Sequence, residues 1–453
     1  MTYKNFNEII HSKEAIKAFS GIYGENETDT QQKRYSQLAS KMQSDFPKSE
    51  LENTCDGLRL FSSPGRTELA GNHTDHNRGK VLAASIQLDN AAVILKRNDN
   101  VVFLRSTGFS DVKIKLTDNK GNFDLQPKPE ETGKTEALIR GIAAEFHKRG
   151  CPVGGFSANA ESTVLPGSGL SSSAALETLI GRIFDSLYGE GMRSPLEISR
   201  IGQIAENNYF GKPCGLMDQT ACATGGAAAI DFKNTENPIV KKIKFNPDAA
   251  GYSLCVVNTG GNHADLTADY ASIPSEMKSV AAYFGKSVLR EINKETVLSS
   301  ARKIRQKLGD RALLRSLHFF DENERVNTMT LVLQAIENIK RKKEIVDAFK
   351  VYLNQINESG ESSWQILQNV YSPNNPADQG ITTALALTRD FIKQQCSHNG
   401  AYRVHGGGFA GTIQAYVPVN AMSEYTKYME TIFGAGSVTP LTIRQTGATE
   451  IIV

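Results

Sequence analysis

Apolar positions along this chain recur at two periods, and the period changes where turn residues cluster. Leu176, Leu179, Ile180, Ile183, Phe184 and Leu187 follow an i, i+3, i+4, i+7 stripe, which predicts an amphipathic helix directly after a glycine-rich turn. Ser194-Pro195 opens a second helix with Ile198, Ile201, Ile204 and Ala205 on one face, ending before Gly211-Lys212-Pro213. Residues 134–149 read as a third, the charged first forty-odd residues read as helical, and 270–371 is mostly helical. Strand signals lie between. One strand begins at Leu58-Arg59-Leu60-Phe61 and is expected to stop at Pro64-Gly65. Residues 91–96 and 101–105 predict a hairpin about Asn98-Asp99-Asn100, and 161–165, 227–232 and 253–257 read as strands. The last strands follow Arg403. Short strands with segregated helices predict an α+β protein. We place a boundary near 250, giving segments 1–250 and 251–453.

Composition narrows the classes. A chain of 453 residues can hold two domains, each with a core. The 51 basic and 49 acidic residues leave a net charge of +2, so neither nucleic acid nor an anionic membrane is an expected partner. The basic runs 302–307 and 340–343 carry apolar residues at helical spacing and read as solvated faces. Cys55, Cys151, Cys214, Cys222, Cys255 and Cys396 are scattered singly, which fits a reducing compartment and argues against structural zinc. Residues 1–18 are too polar for a signal peptide, and no apolar run reaches membrane-spanning length, so a cytoplasmic protein is expected.

The candidate chemistry begins at Val164-Leu165-Pro166-Gly167-Ser168-Gly169-Leu170-Ser171-Ser172-Ser173-Ala174-Ala175. This turn opens into a helix whose first amides and positive dipole end face outward. Gly167 and Gly169 allow close approach to the backbone, and the serines add hydroxyls, so a polyphosphate is the expected guest. No Gly-x-x-x-x-Gly-Lys-Ser/Thr occurs, so the site is no P-loop. Gly406, Gly408 and Gly411 form a Gly-x-Gly-x-x-Gly, but the strand-like 412–417 follows where a dinucleotide fold needs a helix. The kinase partners Val-Ala-Ile-Lys, His-Arg-Asp and Asp-Phe-Gly are also missing. This glycine cluster is therefore read as a tight backbone approach, to substrate phosphates or to the serine loop.

Two further constellations stand out. The segment from Ser63 to Gly79 brings Arg66, Glu68, Asn72, His73, Asp75 and His76 into one loop, and so suits a polyhydroxylated ligand. Gly211-Lys212-Pro213-Cys214-Gly215-Leu216-Met217-Asp218-Gln219 follows the helix carrying Glu206, and from spacing alone Asp218 could equally be a helix cap. Together these segments resemble the galactokinase family of the GHMP small-molecule kinase superfamily. The resemblance rests on Gly-Arg-x-x-x-x-Gly-x-His-x-Asp at 65–75, Gly-Leu-Ser-Ser-Ser-Ala at 169–174 and Cys-Gly-x-Met-Asp-Gln at 214–219. Weaker echoes are Val257-Asn258-Thr259 with His263 and Tyr270, Arg315-Ser316-Leu317-His318 with Glu324-Arg325, and 404–409.

The resemblance implies a two-domain GHMP fold of mixed sheets and segregated helices, with the active site in the interdomain cleft. It implies ATP-dependent phosphorylation of the anomeric C1 hydroxyl of galactose, with Mg²⁺. By matching positions, Asp218 would be the catalytic base, paired with Arg66. Asn72, His73, Asp75, Gly215 and Tyr270 would line the sugar pocket. Pro166, Gly167, Ser168, Gly169, Leu170, Ser171, Ser172, Ser173 and Ala174 would hold ATP, with Ser172 and Glu206 on Mg²⁺. The chain departs from the signature in having Glu68 for Asn, Asn72 for Glu and His76 for Tyr. Because the family glutamate contacts the sugar near C6, Asn72 is expected to relax specificity there. The alternatives are a kinase for a C6-modified or amino derivative (galacturonate, N-acetylgalactosamine) and a catalytically silent sugar-sensing paralogue. The intact serine loop, Arg66 and Asp218 speak against the latter.

Overall fold

Residues 91–95 are apolar at every position, and the layering of the protein explains why. In the computed structural model, which describes residues 3–164, 169–261, 266–372 and 375–453, this run lies in a strand covered on both faces. The strands are β1 (Thr54–Ala70), β2 (Lys80–Arg97), β3 (Val101–Ser106), β4 (Val112–Lys115), β5 (Phe156–Ser162), β6 (Ala227–Asp231) and β7 (Ile239–Ile243). They are followed by β8 (Tyr252–Asn258), β9 (Ala401–His405), β10 (Thr412–Pro418), β11 (Val438–Leu441) and β12 (Thr449–Ile451). Ala91, Val93 and Leu95 of β2 pack on Phe6, Phe19, Tyr35 and Met42 from the N-terminal helices Tyr3–Ile10, Lys13–Tyr23 and Thr28–Asp45. Ala92 and Ile94 face the other way, against Ile139, Phe146, Leu179, Ile183, Ile198 and Ile201. Those residues come from helices Thr135–Lys148, Ser172–Tyr188 and Pro195–Ala205. A strand buried on both faces has no polar alternation to show.

The first sheet runs β12-β1-β2-β5-β3-β4, with β6 pairing β2 and β7 pairing β6. The second runs β11-β8-β10-β9 and is antiparallel throughout. The fold is thus α+β, with two sheets and flanking helices. Leu254 and Val256 of β8 face the core shared with Leu69, Leu82 and Ala84 of the first sheet, while Cys255 and Val257 face helices Gly380–Gln395 and Met422–Phe433. The long helix Asp310–Ile336 sends Val326, Met329 and Leu333 into the shared core. Among the described residues, no helix is long and apolar enough to cross a membrane. The basic residues of 302–307 and 340–343 are exposed.

Three local expectations change. β1 does not stop at Pro64-Gly65 but continues to Ala70, with a register shift between Pro64 and Arg66. Gly65 marks a crossing, since a Cβ there would lie 2.8 Å from the Leu170 carbonyl oxygen. The 91–96/101–105 hairpin does not form, because β5 lies between β2 and β3, antiparallel to one and parallel to the other. Gly155 admits it: its N–H donates to Asp99 O at 3.0 Å and its carbonyl accepts from Arg97 N at 2.9 Å. β5 itself lies earlier than the 161–165 signal, and Leu165 falls outside the described residues.

Candidate active site

Arg66 sits on β1 just past the register shift, and Asp218 sits in the first turn of helix Met217–Thr224. The helix-cap reading of Asp218 does not hold: the N-cap is Leu216, which makes no side-chain cap bond. Asp218 instead takes a two-pronged ion pair, Arg66 Nε donating to Oδ1 at 2.8 Å and Nη2 to Oδ2 at 2.7 Å. Ser171 Oγ donates to Oδ2, Arg66 Nη1 donates to the Gly169 carbonyl, and Arg66 N donates to Leu170 O at 3.0 Å. The guanidinium is nearly enclosed at 8% side-chain exposure while the carboxylate is 34% exposed, so the acid faces the opening. Burial pushes the Asp218 pKa up, but the Arg66 charge, its hydrogen bonds and the Ser171 hydroxyl outweigh burial and hold it below the ordinary carboxylate range. The group is therefore ionised near neutrality and can accept a proton, though weakly.

The serine loop meets this pair from the side. Ser171 adopts a left-handed conformation (φ 59°) as the N-cap of helix Ser172–Tyr188, and the first rung is Ala175 N–H to Ser171 O at 3.1 Å. The amides of 172–174 thus precede the helix's own ladder. Of the three serines, Ser173 is the one whose hydroxyl meets Glu206 (Oε1, 3.4 Å). Glu206 begins a π-turn over Glu206–Phe210, and Gln219 Nε2 donates both to its Oε2 at 3.0 Å and to Glu177 Oε2 at 2.9 Å. Pro166, Gly167 and Ser168, like His263, lie outside the described residues.

A cavity of about 210 Å³ is lined by Asp75, His76, Gln203, Cys214, Gly215 and Leu216 among others, the last two lying just before Asp218 in the chain. Gly215 is there because a Cβ would collide with Asp75 Oδ2. His73, in a left-handed turn (φ 58°), reaches the Gly407 carbonyl through Nε2 at 2.8 Å. A carbonyl only accepts, so Nε2 carries the proton; burial, with only partial relief from that bond, lowers the His73 pKa to about 4. Tyr270 donates to Gly408 O at 2.9 Å, and its ring lies against Gly407, where a Cβ would sit 2.6 Å from Cε1. The glycine cluster is therefore a tight approach to the 72–73 loop and Tyr270, and the residues flanking it, His405 and Thr412, lie against Gly169 of the serine loop.

Asn72 stands behind the pocket wall. Its side chain is 1% exposed and fully engaged: Nδ2 donates to Glu68 Oε1 at 3.1 Å and to Gly406 O at 2.6 Å, and Oδ1 accepts from Asn369 at 2.8 Å. The two departures at 68 and 72 are thus partners, an exchange of carboxylate and amide across one hydrogen bond. Glu68 is held in turn by Arg403 Nη2 at 2.7 Å, both side chains being buried. The relaxed specificity expected at C6 required an Asn72 amide facing the sugar, and this amide has its polar atoms committed to protein. Sequence reading missed Arg403 and Asn369 and gave no role to Gln219, which act across 297 to 335 residues or through one bridging amide. It also gave no role to His405, whose ring nitrogens meet Thr67 Oγ1 at 3.0 Å and Thr412 Oγ1 at 2.9 Å. Burial and then the Arg66 charge push its pKa down to about 3, so it backs the Gly169 turn as a neutral ring.

A glycine-serine turn at a helix start, bonded to an arginine-paired aspartate and followed in the chain by a cavity lined by Asp75 and Gly215, is the arrangement of a GHMP-type small-molecule kinase. The chain matches the GHMP kinases N-terminal domain over residues 137–226 and the galactokinase galactose-binding signature over 50–96. It is 31% identical to a galactokinase of Actinobacillus pleuropneumoniae over 79% of this chain and 84% of that one. It is 29% identical to a galactokinase of Glaesserella parasuis, with the same coverage of 79% and 84%. The fold is similar to that of Lactococcus lactis galactokinase complexed with galactose (TM-score 0.71, 23% identity, 92% of this chain and 99% of that one). It is also similar to Methanococcus jannaschii mevalonate kinase (TM-score 0.56, 13% identity, 85% and 98%). The chain belongs to the galactokinase family.

Proposed function

We propose that this protein is a cytoplasmic sugar kinase that transfers the γ-phosphoryl group of ATP to the C1 hydroxyl of galactose, giving galactose 1-phosphate and ADP. The observation that carries this reading is the Arg66–Asp218 pair, bonded to the serine loop at Gly169 and Ser171. Asp218 is the base for the C1 hydroxyl proton, and Arg66 keeps it ionised and offsets charge on the moving phosphoryl group. A weak base suffices, because phosphoryl transfer depends mainly on positioning and charge stabilisation. Asp75 and Gly215 line the sugar cavity, and His73 and Tyr270, bonded to the Gly407 and Gly408 carbonyls, complete the sugar site, with Asn72 bracing the loop from behind. The amides and hydroxyls of 169–174, together with 166–168, take the phosphates. We assign the two lobes to 1–250 and 251–453, with β12 returning to the first sheet. Turnover with galactose in an ADP-release assay, against N-acetylgalactosamine, galacturonate, glucose and arabinose, tests the reading.

The oxygens at the serine-loop edge suit a hard cation such as Mg²⁺. Glu206 Oε1 faces Ser173 Oγ, and the buried Oε1 of nearby Glu177 has no hydrogen-bond partner. Glu206 with a loop serine, Ser172 or Ser173, would hold the ion, which when bound neutralises phosphate charge. Glu206→Ala should raise the Mg²⁺ concentration needed for half-maximal rate severalfold or more. Ser173→Ala and Ser172→Ala, titrated with Mg²⁺ in parallel, decide which hydroxyl matters; unchanged Mg²⁺ dependence in all three variants would remove this site. On the sugar side, Gly215→Ala should raise the KM for galactose by about tenfold or more while leaving the KM for ATP unchanged, since its methyl displaces Asp75. Steady-state kinetics with each substrate varied checks this, and parallel rises in both constants would contradict it.

A further inference from the structure

The sequence echo at 315–325 has no part in the site described so far, although it lies on the long helix Asp310–Ile336. Its polar side chains reach both ends of the 71–80 loop. At the outgoing end, Gly71 N–H donates to Glu322 Oε1 at 2.9 Å, and His318 Nε2 meets the Asn72 carbonyl at 3.0 Å. At the returning end, Lys80 N–H donates to Asn323 Oδ1 and Lys80 Nζ to Asn327 Oδ1, both at 2.6 Å. The four side chains form two i, i+4 pairs, 318/322 and 323/327, so adjacent stripes of one helix take one loop end each.

We propose that His318, Glu322 and Asn323 are positioning residues for sugar binding: one helix of the second half clamps the loop that carries His73 and Asp75. The proposal rests on the reading that this loop holds the sugar. The bonding fixes the chemistry. The Asn72 carbonyl can only accept, so His318 carries its proton on Nε2, and Nδ1 accepts from Ser362 Oγ at 2.8 Å. Burial lowers the His318 pKa, which keeps the ring neutral and leaves Nδ1 as an acceptor. Glu322 is 0% exposed and its carboxylate is held by Gly71 N–H, Ser359 Oγ at 2.8 Å and Arg325 Nε at 2.7 Å, so it acts as a fixed acceptor. Gly79 leaves room for the contact, since a Cβ there would lie 3.0 Å from Asn323 Oδ1. None of the three lines the sugar cavity. Their effect is to set where Asp75 and His73 stand relative to Asp218.

The test is kinetics and hydrogen exchange on His318→Ala, His318→Gln and Asn323→Ala. Losing one partner of a buried bond should raise the KM for galactose about tenfold or more in His318→Ala, with kcat and the KM for ATP within about twofold. His318→Gln, which restores an N–H donor, should recover part of the loss. Amides of 71–80 should exchange faster in both alanine variants. Asn323→Ala acts at the opposite end of the loop and decides the matter if His318→Ala does not fold. An unchanged KM for galactose with only a lowered Tm would overturn the clamp, as would equal rises in both KM values. If the wild type does not phosphorylate galactose, the functional reading fails on its own, and the exchange rates of 71–80 still judge the clamp.

Discussion

Asp218→Asn should lower kcat by about 10²–10⁴-fold while galactose and ATP still bind. Asparagine keeps the shape and one acceptor for Arg66, but it cannot take the C1 proton. It also puts an NH₂ where Arg66 or Ser171 now donates, so some loss of alignment adds to the loss of basicity. Isothermal titration of each substrate beside single-turnover rates separates the two effects. Because the wild-type carboxyl is held below its ordinary pKa, its protonation should not produce an acid limb in kcat near neutral pH. A variant retaining more than half of wild-type kcat would show that Asp218 is only a structural partner of Arg66.

The largest stability effect is expected at Arg403→Met. Arg403 is 0% exposed and donates to Glu68 Oε1 at 2.7 Å and to the Leu69 carbonyl at 2.7 Å. Removing the guanidinium strands a buried carboxylate and a buried carbonyl, a loss of about 3–5 kcal/mol. Glu68 already has its pKa raised by burial, against the pull of Arg403 and then Arg66. Without Arg403 the folded state would hold a proton on Glu68 that the unfolded chain has released at neutral pH. Stability then falls as pH rises through that window, so the deficit should be larger at pH 8 than at pH 5. Adding Glu68→Gln to Arg403→Met should recover part of the loss, which denaturant titration in a double-mutant cycle would measure. Additive losses would show that the two side chains are independent. Asn72→Glu belongs to the same network: it would set a second carboxylate beside Glu68 and Gly406 O, and so should destabilise rather than sharpen sugar choice.

The parts legible in the sequence were those fixed by local patterns. The Leu176-to-Leu187 stripe and the Ser194-Pro195 start each gave a helix, the latter with a capping box between Ser194 and Glu197. The Arg66, serine-loop and Asp218 motifs were legible because each is a short local run of residues, although Arg66 and Asp218 meet across 152 residues. What was not legible depends on partners far along the chain. Nothing in 91–105 signals that β5, about fifty residues later, will enter between two strands that otherwise suit a hairpin. Pro64-Gly65 looks like a strand end, yet only the crossing Leu170 carbonyl makes glycine necessary there. Glu68 and Asn72 were visible as departures from the family pattern. Their meaning needed Arg403, 335 residues away, and the Gly406 carbonyl. Asn72 was therefore read as a sugar contact, whereas its side chain bonds Glu68, the Gly406 carbonyl and Asn369.

Transfer of phosphate to C1 of galactose leaves a distinctive product. The most direct measurement is ³¹P and ¹H NMR of the product formed from ATP, Mg²⁺ and galactose by the purified protein, beside a parallel reaction with the Asp218→Asn variant. A phosphate coupled to the anomeric proton, formed by the wild type and lost in the variant, is the expected result. A phosphate at another carbon, turnover only with a different sugar of the panel, or an undiminished rate in the variant would contradict the account.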